Sequence, residues 1–441
     1  MRLPRVLAIS GVGVVVVALV FGMMFIGKAN AAPQKASSRP SISYFHSCTA
    51  VAGAASCHAL YLAQGAAIPG ARSGAGVSPS AVTNGCSTNP TAGNTYPGYT
   101  ACDVENAYNL ASYSASNGSG LRVAIVDAYN DPNAFSDVNT YRSEFGIPLL
   151  TNGTTFQQVN QTGGTKLPRN NGGWAQEISL DLDMVSAVCP NCNILLVEAS
   201  SNSNTNLFTA ENYAASHAAY VSNSWGESEF SSEASDDVYF NHPGVVITVS
   251  SGDGGYKVEY PAASPYVTAV GGTSLTKCSA TRGWCESVWN TSNTEGAGSG
   301  CSTYETTQQS WQNIANITGN VDVTGTTTLE GNCAHRAVAD VSATADPYHG
   351  VDVYDSYAYQ GVSGWLVFGG TSVASPITAS VYALAGNAST VTYGSYPYSH
   401  TSSLYDVTTG QTSSCGSDLC TAVPGWDGPT GLGTPNGIGG F

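Results

Sequence analysis

Charge is what this chain has least of. Lys, Arg, Asp and Glu make up 10% of its 441 residues, and only 14 Lys and Arg stand against 30 acids, a formal net charge of −16. A surface so short of cations repels phosphate backbones, which excludes nucleic-acid binding. A pI near 4.6 and sparse carboxylates also limit charging at low pH, as suits an acidic medium. No internal repeat is present. None of the seven His (46, 58, 217, 242, 335, 349, 400) sits in a recognisable catalytic motif. Cys189-x-x-Cys192 has no second pair of that spacing, so a small structural disulfide fits it better than zinc. Disorder is excluded as well, because 42% hydrophobic residues can fill a core.

What is present points to export and a large core. Arg2 and Arg5 precede an apolar run from about Val6 to Ile26, and Ala29-Asn30-Ala31 follows as a small-x-small cleavage pattern. Residues 1–31 are therefore expected to be a signal peptide and the product secreted, with an uncleaved membrane anchor over residues 6–26 as the alternative. Beyond that segment 11 basic residues face 30 acidic ones. Twelve Cys, an even number, agree with an oxidising compartment. The simplest pairing joins sequence neighbours: Cys48 with Cys57, Cys86 with Cys102, Cys189 with Cys192, Cys278 with Cys285, Cys301 with Cys333 and Cys415 with Cys420. Residues 32–100 read as a short, loop-rich pre-segment stapled by disulfides, and 101–441 as the main domain.

Within 101–441, continuous apolar runs ending in a polar residue mark buried parallel strands: Leu121–Asp127, Asn193–Ala199, Ala219–Ser222, Val245–Ser250 and Val267–Gly271. Helical stretches are expected between several of them, at about Asn133–Phe145, Trp174–Val188, Asn206–Ala218 and Glu229–Asn241. The alternation predicts an α/β domain with a mostly parallel central sheet flanked by helices, and chemistry at the carboxyl ends of the strands.

Three features carry chemistry. Glu177 and Asp181 share one helical face, with Cβ atoms roughly 6 Å apart, where like charges destabilise by a few tenths of a kcal/mol. A chain with few charges has no structural need for that pair. Ser372, in Gly-Gly-Thr-Ser-Val-Ala-Ser-Pro, opens an apolar helix whose first turn tolerates Pro376. There the free amides and macrodipole favour developing negative charge, although Thr371 or Ser372 could equally be a plain cap. Asp253 follows a strand in Ser250-Ser-Gly-Asp253-Gly-Gly, where it is either a turn acid or a protonated carboxyl poised to donate to an oxyanion. Asp183 lies about 200° round the helix from Asp181 and faces away.

Glu177 with Asp181, Asp253 in Ser-Ser-Gly-Asp, and Ser372 in Gly-Thr-Ser-x-x-Ser-Pro together resemble the four functional positions of the sedolisin family, the serine-carboxyl peptidases. Tyr260-Pro-Ala-Ala-Ser-Pro, Thr268-Ala-Val-Gly-Gly-Thr-Ser and Gly431-Leu-Gly-Thr-Pro fit too, and the match runs from about Cys102 to the C-terminus. The resemblance implies a subtilisin-like three-layer fold, with Ser372 as nucleophile, Glu177 as general base, Asp181 orienting Glu177, and Asp253 as oxyanion donor. Asp127 resembles the triad aspartate of subtilisins, but no His-Gly-Thr accompanies it, and it reads as a structural strand-end acid. The run Tyr405–Asp427 resembles the family's calcium site, which implies one calcium ion held by Asp406 and Asp427 carboxylates and the carbonyls of Val407, Val423 and Gly425. Gly254 stands where the family commonly has Ser, and Val423 where it has Gly. About 70 residues lie between the signal and the match, where the family carries a long folding prosegment. A protein or peptide substrate is expected along Ser222–Gly226 and Ser250–Gly252 as an added strand, on a monomer with no nucleic acid and, once the signal is removed, no membrane. Two other functions are weighed: a catalytically silent member binding peptides or surfaces, and a glycoside hydrolase. The latter fits poorly, since its acids must face each other across a sugar.

Overall fold

The computed structural model describes residues 43–62, 98–292, 294–307, 309–313 and 333–441, all within one compact unit, 42–441. The expected signal peptide or anchor, Cys86 and most of the pre-segment lie outside the described residues. At the centre is an eight-stranded sheet. Its order is Trp284–Val288, Thr268–Lys277, Val246–Ser250, Tyr220–Asn223, Arg122–Ala128, Asn193–Ala199 and Phe156–Asn160, with Val341–Thr344 pairing alongside Thr268–Lys277. All pairings are parallel except that of Trp284–Val288, an antiparallel partner at one edge. Strands 220–223 and 246–250 are buried at every position, and 122–128 and 193–199 at every position but the first. Burial on both faces is why these segments read as unbroken apolar runs rather than alternating ones.

Helices cover both faces, completing the three-layer α/β arrangement expected from the sequence. Asn204–Ala215 packs on strands 122–128 and 193–199, while Gly172–Val188 and Thr371–Ala385 pack on one another. Gly172–Val188 begins where the Asn171 side chain accepts from the amides of Gly173 and Trp174, supplying the cap that a helix start needs. Thr371–Ala385 is buried at all but its last residue and ends on the left-handed Gly386. The expected helix over Glu229–Asn241 is instead a shorter 3₁₀ turn, Glu233–Tyr239. Its start is pinned by the Glu233 carboxylate, which accepts from the Phe230 amide, and Glu229 is drawn away to Ser302. Strand 268–277 runs six residues past its expected end, because Trp284–Val288 folds back on it.

Five expected disulfides are formed: Cys48–Cys57, Cys189–Cys192, Cys278–Cys285, Cys301–Cys333 and Cys415–Cys420. Residues 44–62 are woven into the domain. Ser56–Cys57 pairs antiparallel with Trp225–Gly226, and Leu60–Tyr61 with Phe368–Gly369. Among the described residues no helix is long and apolar enough to cross a membrane.

Candidate active site

Glu177 and Asp181 lie on the buried helix 172–188, and both are fully buried. Asp181 accepts a 2.7 Å hydrogen bond from the Ser224 hydroxyl. Ser224 follows strand 220–223, so the sheet's carboxyl end meets the helix at this acid. The Ser372 hydroxyl and the Ala59 amide neighbour the Glu177 carboxyl and draw its pKa down, but neither closes into full hydrogen-bond geometry. Burial, then the adjacent Asp181, push Glu177 well above the ordinary carboxyl range. Burial also raises Asp181, against the opposing bond from Ser224. Two carboxyls so placed titrate as a unit.

Ser372 sits in the first turn of helix 371–385, fully buried, its hydroxyl donating to the Ser224 carbonyl at 3.2 Å. Across from it stands Asp253. Its Oδ1 accepts from both the amide and the hydroxyl of Thr371, each at 2.8 Å, while Oδ2 is buried with no hydrogen-bond partner among the described residues. Burial raises its pKa to about 6, against the opposing charge of His58 and the Thr371 bonds. When protonated, a carboxyl fixed through one oxygen presents its proton from the other and can donate it. Gly370 makes the approach possible. Its φ of +92° suits glycine, and a Cβ there would lie 1.7 Å from the His58 carbonyl oxygen and 2.8 Å from Asp253 Oδ2.

The backbone edge beside these groups is taken by the chain's own residues 56–59. Ser56 and Cys57 pair with Gly226 and Trp225, and the His58 amide donates to the Ser224 carbonyl at 3.2 Å. His58 carbonyl then points at Gly370 and Asp253, and Ala59 amide at Glu177. The His58 ring meets Ser250 Oγ at 2.7 Å and Glu259 Oε2 at 2.9 Å. A cleft of about 530 Å³ adjoins it, lined in part by Gly226, Glu227, Asp253 and Glu259. Sequence reading gave His58 no role: it belongs to the aperiodic pre-segment, and its partners are about 200 residues away.

Asp127, a strand-end acid, is buried with both carboxylate oxygens unpartnered among the described residues. Burial, then Asp181 and Glu177, raise its pKa well above normal, so it stands electrostatically beside the pair. Asp183 faces away as expected, accepting from the Tyr354 amide at 2.9 Å.

At the C-terminal end, Asp406 Oδ2 accepts from the Gly425 amide at 2.9 Å. Asp427, fully buried, accepts from Thr430 through Oδ1 and from the Val423 amide through Oδ2. The two acids are close enough for Asp406 to oppose the charge on Asp427. Among the described residues no cluster of three or more His, Cys, Asp or Glu is arranged for a metal. A cation here would therefore rest on two carboxylates and main-chain carbonyls. That donor set is the all-oxygen kind calcium takes, so the residues fit it.

No protein-family model matches the chain. Kumamolisin from Bacillus sp. (strain MN-32) is 29% identical over 373 residues, 77% of this chain and 62% of its own. Sedolisin from Pseudomonas sp. (strain 101) is 28% identical over 381 residues, 78% of this chain and 60% of its own. The chain thus spans about three fifths of the length of these curated relatives. The solved structure of Pseudomonas sedolisin, a serine-carboxyl proteinase complexed with pseudo-iodotyrostatin, superposes with a TM-score of 0.61 at 26% identity. That match covers 78% of this chain and 96% of that one. With the sheet, the helix-borne acid pair and the serine at a helix start already in place, these likenesses in sequence and fold identify the subtilisin-like architecture, and the sedolisin family is the one this chain is similar to.

Proposed function

We propose that this protein is a secreted, acid-acting serine-carboxyl peptidase. The observation that carries the reading is the Ser372 hydroxyl lying beside the Glu177 carboxyl, with the unpartnered Asp253 Oδ2 across from it. Ser372 Oγ attacks the scissile carbonyl while its proton passes to Glu177, ionised within a pair that holds a single charge. Asp181, fixed by Ser224, keeps Glu177 in place. Negative charge developing on the carbonyl oxygen is met by the Asp253 proton and by the amides opening helix 371–385. Glu177 then returns its proton to the leaving amine, and water releases the acyl group by the same steps reversed. Asp253 works only while protonated and Glu177 only while ionised, so a bell-shaped rate profile with its maximum below pH 6 is expected.

Peptide is held by backbone pairing along Ser224–Gly226, the edge occupied here by Ser56–His58, which supports a protein or peptide substrate. The five disulfides among the described residues support an oxidising, extracellular setting. We assign one calcium ion to Asp406 and Asp427 with the carbonyls of Val407, Val423 and Gly425. It neutralises the two acids and ties together the loops that carry them. The peptidase domain proposed is 101–441, acting as a monomer.

The test is hydrolysis of a denatured protein from pH 2 to 8 by chain lacking residues 1–31, beside its Ser372→Ala variant. Acid-optimal cleavage that the variant loses, by a factor of roughly 10⁶, is expected. Activity that survives the substitution removes Ser372 as nucleophile. A folded, calcium-loaded sample that cuts nothing at any pH leaves a catalytically silent peptide-binding protein instead.

A further inference from the structure

The segment threaded through the groove also shows what the groove selects. We propose that Glu259, together with Ser250, makes this enzyme prefer histidine, and next lysine or arginine, on the acyl side of the bond it cuts. The proposal rests on the peptidase reading above. Its starting point is register. The amide of His58 bonds the Ser224 carbonyl, its own carbonyl lies at Gly370 and Asp253, and the next amide, that of Ala59, lies at Glu177. The His58–Ala59 peptide link therefore occupies the place of a bond under attack by Ser372. The pocket around the His58 ring is the one that receives the acyl-side side chain of any peptide bound the same way.

That pocket is built for a polar, cationic ring. Both imidazole nitrogens are engaged, Nδ1 by Ser250 at 2.7 Å and Nε2 by Glu259 at 2.9 Å, and His58 and Glu259 are both buried. Two glycines make the room. A Cβ at Gly226 would come within 3.0 Å of both the His58 ring and Glu259 Oε2, and one at Gly252 within 3.0 Å of the Glu259 carboxyl carbon. Lys257 holds the other Glu259 oxygen at 2.7 Å, leaving Oε2 to face the pocket. The titratable groups around Glu259 are His58, Lys257, Glu227 and Asp253. Burial alone would raise the Glu259 pKa, but the bonds and charges of His58 and Lys257 outweigh it and bring it down to about 2. Glu259 is thus a carboxylate throughout the acid range in which Asp253 keeps its proton. An apolar side chain entering here would bury that charge and the Ser250 hydroxyl without partners, and an acidic one would meet like charge. Polar sites of this type reject substrates that lack the matching group far more sharply than apolar pockets discriminate by size.

Profiling a mixed peptide library by mass spectrometry at pH 4 tests this, using the chain lacking residues 1–31 and its isosteric Glu259→Gln variant. The wild type is expected to cut after histidine with kcat/KM at least about tenfold above that after leucine or phenylalanine. In Glu259→Gln that ratio is expected to collapse toward one, as cutting after histidine falls and the penalty on leucine is relieved. A second measurement needs no variant. For two peptides differing only in His or Leu at this position, the wild-type preference should fall as pH rises from 4 to 7 and imidazolium is lost. Cleavage that disappears with Ser372→Ala but shows no histidine preference, a preference that survives Glu259→Gln, or a ratio flat with pH each overturns the pocket assignment and leaves the peptidase reading standing. A chain that cuts neither library nor denatured protein overturns both.

Discussion

Arg336 and Asp340 stand four residues apart, as do Glu177 and Asp181, and all four side chains are buried. Their surroundings are opposite. Asp340 receives the Arg336 guanidinium through both of its oxygens, at 2.7 and 2.5 Å, and also bonds Gln312, Tyr398 and the Ala269 amide. Burial opposes the charge on Arg336, yet Asp340 outweighs it and raises its pKa further. Every valence in that cluster is answered, and it ties strand 268–277 to the segment leading into 341–344. At Glu177 and Asp181 there is no cation, Asp181 has a single hydroxyl donor, and Glu177 has no closed hydrogen bond among the described residues. A buried polar pair that is satisfied holds structure together. One left unsatisfied at a strand's carboxyl end beside a serine costs stability and is poised for chemistry.

Substitutions at the two pairs should therefore separate activity from stability. Glu177→Gln should lower kcat/KM on a protein substrate by roughly 10⁴-fold, while thermal melting stays unchanged or moves upward as a buried charge is removed. A variant that melts much earlier and keeps its activity would reverse the assignment of the two pairs. Asp340→Ala should do the converse, costing about 3–5 kcal/mol in denaturant unfolding because it strands a buried guanidinium. Activity per folded molecule well below the melting temperature should stay within about twofold.

Removing calcium with a chelator should act like the Asp340 change but more weakly. A loss near 3 kcal/mol, restored by added calcium, corresponds to an ion bound at about a hundredfold above its dissociation constant. No shift in melting on chelation would remove the ion from Asp406 and Asp427. The smallest effect is the most general. Burial raises Asp131, Glu198 and Glu211 to about 8. A carboxyl whose folded pKa is raised contributes stability that is complete below its unfolded pKa, near 4, and is lost as pH rises through the folded value. Melting temperature should accordingly fall by about 5 °C between pH 4 and pH 8. Glu259, lowered to about 2, works in the other direction, and its contribution is lost below about pH 4. A melting temperature that climbs toward neutral pH would show that these buried acids are charged and paired in the folded state.

The regular elements were legible because their signals are local. Strand 193–199 is an unbroken apolar run with the bounds read from sequence, and helix 172–188 carries its own Asn171 cap. Glu177 and Asp181 were legible for the same reason, since i and i+4 on a helix share a face whatever the helix packs against. The helical stretch over Glu229–Asn241 is narrower, a 3₁₀ turn at 233–239, because its geometry depends on which amide Glu233 caps and on Ser302 holding Glu229, and composition records neither.

Sequence by itself thus determined the sheet-and-helix alternation, the acid pair and the order of the motifs, all properties of residues within a few positions of one another. Only the tertiary structure decided that Asp253 keeps one oxygen free by binding Thr371 through the other, and that Asp127 stands beside the pair. It alone set His58 between Ser250 and Glu259. Each of these is a contact between segments up to about two hundred residues apart, and desolvation at such contacts, rather than residue type, sets where protons reside.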